Sequence, residues 1–411
     1  MKKDFRPVFA VIVLVAAMLA CASPVTGTTP APPNVETIVA ATFNALTAPA
    51  PTEADVAPLP STLGLLPHTM YFLGNDGAGL AQVYRLDTDG KSLTQLTFEP
   101  AKVESYDVSL IDGSVVYVSN NQMFTVNADG SNRSLIFDGG ALDVNNPFIN
   151  IIHSPVWSPN GQTIAFGHKG LNFYSIVGGQ SNLVIKDEIE DLGNGLLIPR
   201  EMIWPDKYSA DGSKLIVTLG YYEGASAAIY YPNGGALVRL NGAEGEGAMI
   251  CCGRTSLTSD GSAFYSASPT FGMFSAGLWR VDTKSGAVTT LLSGNFDTDP
   301  INLADKPYLA PDGQLYFFHT TQPGGADMIN RPALQLVRSA SDGVTGRTVL
   351  RPETFERMNE ALWAPDASFV IIANADLPDI YQGGRLELYY TDGQKGMISL
   401  LPFGMELKWG P

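Results

Sequence analysis

The sequence predicts an all-β fold, a closed β-propeller of four-stranded antiparallel blades. Its 411 residues include 42 glycines and 28 prolines with 16 tyrosines and 19 phenylalanines, a composition that suits many short strands and turns better than long helices. One hairpin motif recurs at a period of about 50 residues. A second hairpin motif recurs with the same period, out of phase with the first.

The chain opens with a segment outside that fold. Lys2, Lys3 and Arg6 form a basic start, an apolar run of 12 residues follows from Val8 to Leu19, and then comes Leu19-Ala20-Cys21. Twelve apolar residues are too few to span a bilayer, which takes about 20, and they suit a cleaved export signal. The stretch resembles a bacterial lipoprotein signal peptide with its lipobox, with Met18 where leucine is usual. The resemblance implies removal of residues 1–20, lipid on Cys21 and an extracytoplasmic protein anchored to the bacterial cell membrane. The net charge of −16 becomes about −18 on removal, because Lys2, Lys3 and Arg6 outnumber Asp4. So acidic a surface repels phosphate backbones and argues against nucleic acid as a partner.

Residues 21–66 read as a tether. They are rich in Thr, Pro and Ala, cannot bury enough apolar surface to fold alone, and form a semi-extended spacer. Within them Val35, Ile38, Val39, Phe43 and Leu46 recur at helical spacing after Asn34, a residue type that caps helices. A short amphipathic helix near 34–47 is expected, either lying on lipid, docked on a partner, or only loosely packed.

Residues 67–411 carry the repeats. The first ladder reads "DVSLIDGSVVYV", "SPVWSPNGQTIAF", "PDKYSADGSKLIV", "RTSLTSDGSAFYS", "KPYLAPDGQLYFF" and "NEALWAPDASFVI". Its turns begin at Asp112, Asn160, Asp211, Asp260, Asp312 and Asp366, spaced 48, 51, 49, 52 and 54 residues apart. Asp-Gly and Asn-Gly supply the positive φ of a tight hairpin, so each copy is strand, turn, strand. Three positions before the turns stand Ser109, Trp157, Tyr208, Leu257, Leu309 and Trp363. The second ladder turns at Asp89, Asp129, Gly178, Asn233, Ser285, Asp342 and Asp392. Two hairpins per period give four strands, which is one propeller blade.

The first ladder has six members and the second seven. The tail "MELKWGP" supplies the missing copy, with Trp409 in the indole column, and "HTMYFLG" from His68 supplies its second strand. The C-terminal strand is therefore expected to complete the N-terminal blade. That closes a ring, counted as seven blades with six or eight as the alternatives because the copies are degenerate, and removes its free edges. A ring made by one chain implies a monomer.

These units resemble the TolB-type, WD40-like propeller repeat, above all at "VWSPNGQTIAF" and "LWAPDASFVII". Related repeats serve as periplasmic binding scaffolds, as the propellers of prolyl-peptidase-like hydrolases and in some sugar lyases, so the resemblance implies a fold more than an activity. The indole and phenol groups before the turns are expected to pack between blades.

Catalytic chemistry is sparse. The chain lacks a Gly-x-Ser-x-Gly elbow and has only four histidines, His68, His153, His168 and His319. One of them, His153, begins an inner strand, and a single His is a poor metal site. Neither a metal nor a cofactor is expected. Six positions before the turns, Tyr106, Ser154, Pro205, Arg254, Lys306, Glu360 and the equivalent Glu406 mark the channel mouth. His153, Arg254, Lys306, Glu360 and Glu406 are the candidate ligand-binding residues there, suited to a polar ligand or a peptide. Cys251 and Cys252 are neighbours in an exported chain, so a vicinal disulfide competes with two buried thiols. Long insertions at 186–207, 241–255, 319–333 and 374–386 offer binding loops, with Ile203, Trp204 and Tyr381 as contact points. The sequence as a whole reads as a cell-envelope lipoprotein whose propeller is a non-catalytic scaffold for a protein, peptide or glycan. The alternative is a polysaccharide lyase or hydrolase acting at the channel mouth.

Overall fold

A computed structural model describes residues 64–411, except 243–247, 271–273, 296 and 328–329. The leader, Cys21 and the 34–47 stretch lie outside the described residues.

The repeated turn has a repeated geometry. Gly113, Gly161, Gly212, Gly261 and Gly313 all sit at positive φ, and Ala367 takes the same left-handed conformation (φ 56°) where the motif loses its glycine. Each turn's acidic or amide side chain accepts a hydrogen bond from the backbone N–H two residues on. The distances are 3.1 Å from Ser114 to Asp112, 3.1 Å from Gln162 to Asn160 and 3.0 Å from Ser213 to Asp211. The same bond recurs at Asp260, Asp312 and Asp366. A short side chain folding back on its own backbone explains why the column holds only Asp and Asn.

Seven blades form among the described residues. Strands are lettered a to d from the axis outward. Blade 2 is Val103–Val108, Val115–Ser119, Gln122–Val126 and Ser134–Asp138. Blade 3 is His153–Trp157, Thr163–Gly167, Gly170–Ser175 and Gln180–Lys186. Blade 4 is Leu197–Tyr208, Leu215–Tyr221, Gly224–Tyr231 and Ala236–Arg239, and blade 5 is Thr255–Leu257, Ala263–Ser268, Ala276–Asp282 and Val288–Gly294. Blade 6 is Ile301–Leu309, Gln314–Gln322, Gln335–Ala340 and Thr348–Thr354. Blade 7 begins with Met358–Trp363, Phe369–Asn374 and Gly384–Tyr390, and blade 1 contributes Met70–Asn75, Ala81–Leu86 and Leu93–Gln95.

One strand, Ile398–Trp409, joins the last two. Its first half pairs with strand c of blade 7 (Leu388↔Ile398, Gly384↔Gly404), and its second half pairs with strand b of blade 1 (Leu73↔Met405, Met70↔Trp409). The tail therefore supplies strand a of blade 1 and closes the ring, as the sequence predicts. The change of partner falls at Gly404, where a Cβ would lie 2.7 Å from the Leu386 side chain and 3.0 Å from the Phe72 ring and would push both aside.

Strand b of each blade is buried on both faces, which is why it reads as an unbroken apolar run. Successive residues serve opposite neighbours. Phe166 packs with Val116 and Val118 of blade 2, whereas Ala165 packs with Val217 and Leu219 of blade 4. The indole column packs the same seams, with Trp157 between blades 2 and 3 and Trp363 between blades 6 and 7.

Up-and-down strands place the a–b and c–d turns on one face of the ring and the b–c and d–a connections on the other. The Asp-Gly turns of both ladders thus share a turn face, and all four long insertions share the opposite, loop face. An extra strand, Glu188–Asp191, lengthens blade 4 toward the loop face by pairing with the start of its strand a (Asp191↔Leu197, Glu188↔Glu201).

Candidate functional site

The channel wall is made by the strands a, and most of these are bulged. Register slips by a residue at Glu104, Asp206 and Asn359, and by a similar step at Ser154–Pro155, Lys306–Pro307 and Glu406–Leu407. Ser154, Lys306 and Glu406 are left-handed there, with φ of 42°, 50° and 53°. A bulge re-aims side chains and frees backbone groups from the ladder. Two of the freed carbonyls bind the neighbouring blade. Lys306 O accepts the Trp363 indole N–H at 3.0 Å, and Glu406 O accepts the Tyr106 hydroxyl at 2.5 Å.

Charged side chains of these strands form a linked set. Lys408 Nζ lies 2.8 Å from Asp107 Oδ1 and 5.2 Å from the centre of the Tyr106 ring, and Asp107 Oδ2 accepts the Trp157 N–H at 2.7 Å. Glu360 Oε2 accepts the Leu407 N–H at 3.1 Å. Blades 7, 1, 2 and 3 are thereby stitched together at the axis. Burial raises the Glu406 carboxyl to about 7 against the nearby Lys408 ammonium, with Glu360 and Glu104 adding repulsion. Lys207 of blade 4 is solvent-exposed, yet it feels Lys408 and Asp107 from blades 1 and 2 and has a protein-lined environment that, with Lys408, lowers its ammonium pKa. Its charged neighbours from blades 1 and 2 place it at the axis of the ring, where its Nζ donates to Thr255 O at 3.4 Å.

The five candidate mouth residues have different fates. Glu360 and Glu406 belong to the axial set just described. Lys306 pairs weakly with Asp305, at 4.0 Å, and Arg254 is exposed on the loop face, with its N–H on Cys251 O at 3.2 Å. His153 stacks on Trp204 at 5.3 Å between ring centres, and burial lowers it to about 4. It is a packing residue of the seam between blades 3 and 4. Two proposed contact points also move inside: Ile203 is buried, and Trp204 lies between His153 and Gly220. Tyr381 is exposed.

The loop face exposes apolar groups, of which sequence reasoning named Tyr381 and missed Tyr222 and Leu377. Tyr222 in the b–c connection of blade 4 is 67% exposed, and Leu377 and Tyr381 in that of blade 7 are 56% and 61% exposed. The blade 7 loop is ordered by Arg331 of blade 6, which donates to Pro378 O at 2.6 Å, to Ile380 O and to Asn359 Oδ1, and stacks 4.4 Å from the Tyr381 ring. On the turn face a shallow cavity of about 240 Å³ lies between blades 2 and 3, lined by Ile111, Trp157 and Ile176 among others. Cys251 and Cys252 are joined as a vicinal disulfide on the loop face. Among the described residues no three His, Cys, Asp or Glu side chains gather as a metal-ligating group.

The geometry defines a closed propeller with one elaborated face. No family model matches the chain, and no curated protein matches it. Solved structures of similar fold include a TolB from Acinetobacter baumannii, 15% identical over 80% of this chain and 79% of that one, with a TM-score of 0.40. A protein from Lactobacillus plantarum is 15% identical over 84% of this chain and 99% of that one, at a TM-score of 0.50. A prolyl endopeptidase is 12% identical at a TM-score of 0.50 over 80% of this chain, which spans 47% of the endopeptidase. These likenesses concern the fold alone: the chain is a β-propeller.

Proposed function

We propose that this protein is a cell-envelope lipoprotein, anchored outside the cytoplasm through lipid on Cys21, whose propeller binds a protein, peptide or glycan partner without catalysis. The observation that carries the reading is the asymmetry of the ring. The turn face is built of short, self-bonded Asp-Gly hairpins. The loop face gathers every long insertion and exposes Tyr222, Leu377 and Tyr381 on a rigid frame. Exposed aromatics on well-held loops are the usual anchors of recognition.

The test is affinity capture from envelope extract with the full chain and two surface variants. Tyr222→Ser with Tyr381→Ser should lose the partner, and Ile111→Ser with Val177→Ser on the turn face should keep it. Loss through the turn-face variant, or turnover of a polysaccharide or peptide by the purified chain, would contradict the reading. Separately, Cys21→Ser should move the protein from the membrane to the soluble fraction.

A further inference from the structure

The vicinal disulfide is wired to the channel. Cys251 is buried and Cys252 is exposed with a left-handed backbone (φ 63°). The Cys252 N–H donates to Thr218 Oγ1 at 3.0 Å, and the Thr218 hydroxyl donates to Asp206 Oδ2 at 2.6 Å. The next residue of the same turn, Gly253, gives its N–H to the Asp206 carboxylate. Asp206 directly precedes Lys207, the ammonium in the channel, and the other charges near Lys207 are Lys408 and Asp107. Burial raises Asp206 to about 6, and the bonds from Thr218 and Gly253 oppose that rise.

We propose that Cys251–Cys252 is a reversible thiol–disulfide exchange site for an exported dithiol protein, and that its redox state sets the hydrogen bonds to Asp206 and so the charge beside Lys207. Cys252, the exposed residue of the pair, is the one a thiolate reaches. Attack there forms a mixed disulfide and expels the Cys251 sulfur, which takes a proton. The second thiol of the reductant then attacks its own mixed-disulfide sulfur, releases Cys252 as a thiol, and leaves the reductant as a disulfide. The two electrons and two protons gained by the cysteines are those lost by the dithiol. Opening the ring formed by adjacent cysteines frees the 251–253 backbone from the conformation that aims two N–H groups at Thr218 and Asp206. A carboxylate deprived of such donors ionises less readily, and Lys207 then loses a neighbouring negative charge. The inference rests on the extracytoplasmic location proposed above, though not on which partner the loop face binds.

The test uses the full-length protein held with and without dithiothreitol. Mass analysis after alkylation should find both cysteines reducible while the circular dichroism of the native ring persists. Acetylation of Lys207 by a small reagent at pH 6.5, just above the Asp206 value of about 6, normalised to exposed Lys91, should then be about threefold faster in the reduced state, because a half-unit fall in an amine's pKa triples its unprotonated fraction. Cys252→Ser, which cannot form the bond, should react like the reduced protein. Cysteines that become reducible only on unfolding, or a Lys207 rate equal in both states, would overturn the proposal.

Discussion

Trp409→Ala removes the side chain that locks the last residues of the chain to the first blade. Its indole N–H donates to Trp363 O at 2.7 Å across the seam between blades 7 and 1. Its ring lies 6.3 Å from Phe369 and 6.4 Å from His68, centre to centre, and packs on the cluster formed by Met70, Ile371 and Leu388. A fully covered aromatic side chain buries roughly 150–250 Å². Trp409 is half-buried, so about 100 Å² at about 25 cal/mol per Å² gives about 2.5 kcal/mol. The lost hydrogen bond adds about 1 kcal/mol, for a total near ~3.5 kcal/mol, a large share of the 5–15 kcal/mol that roughly bounds the stability of most proteins. Trp409→Phe keeps most of the ring and should lose only about 1 kcal/mol. Urea titration of the full chain, followed by far-ultraviolet circular dichroism, reads both. If the two variants unfold within about 0.5 kcal/mol of the wild type, the tail does not lock the ring and the reasoning fails.

Tyr106→Phe deletes the bond to Glu406 O, which spans 300 residues of sequence, and should cost about 1 kcal/mol in the same titration. Glu406 holds its proton to about 7 in the folded chain against an ordinary value of 4.5. Its contribution to stability is therefore present below pH 4.5 and lost as pH rises through 7. Glu406→Gln should match the wild type near pH 4 and exceed it at pH 8, which urea midpoints across that range would read. His153 is shifted the other way, to about 4 from 6.5, so its contribution is present above pH 6.5 and lost as pH falls through 4; His153→Gln should make that acid limb shallower. Arg331→Ala should speed hydrogen exchange over residues 377–383, whose carbonyls at Pro378 and Ile380 it binds, and leave the urea midpoint nearly unchanged.

The ring was legible because its signals are local and repeated. Asp-Gly turns fold on themselves, the apolar strand after each turn is buried on both faces, and Trp409 falls in the same column as Trp157 and Trp363. The count of seven followed from pairing "MELKWGP" with the strand at Met70. The channel was legible only in part. Glu360 and Glu406 stand where the spacing puts them, but His153 turns into a seam because a flat ring finds Trp204 there. The left-handed bulges at Ser154, Lys306 and Glu406 carry no sequence mark, since none is a glycine. The line from Cys252 through Thr218 to Asp206 joins residues of blades 4 and 5 that no spacing rule connects. Ile203 looked like an exposed loop residue because the extra strand at Glu188–Asp191 hides where the loop ends and strand a begins.

The central claim is that the strand ending at Trp409 lies at the ring axis against the first and second blades. Lys408 Nζ and Asp107 Oδ1, 301 residues apart in sequence, are 2.8 Å apart in space. A zero-length carbodiimide cross-link on the full-length protein reads that contact directly, with the exposed pair Lys102–Glu104, also 2.8 Å apart, as the internal control. Peptide mapping should recover Lys408 joined to Asp107 within a single chain. Recovery of the control link with Lys408 unlinked, or linked only to a second molecule, would contradict a ring closed by its own tail.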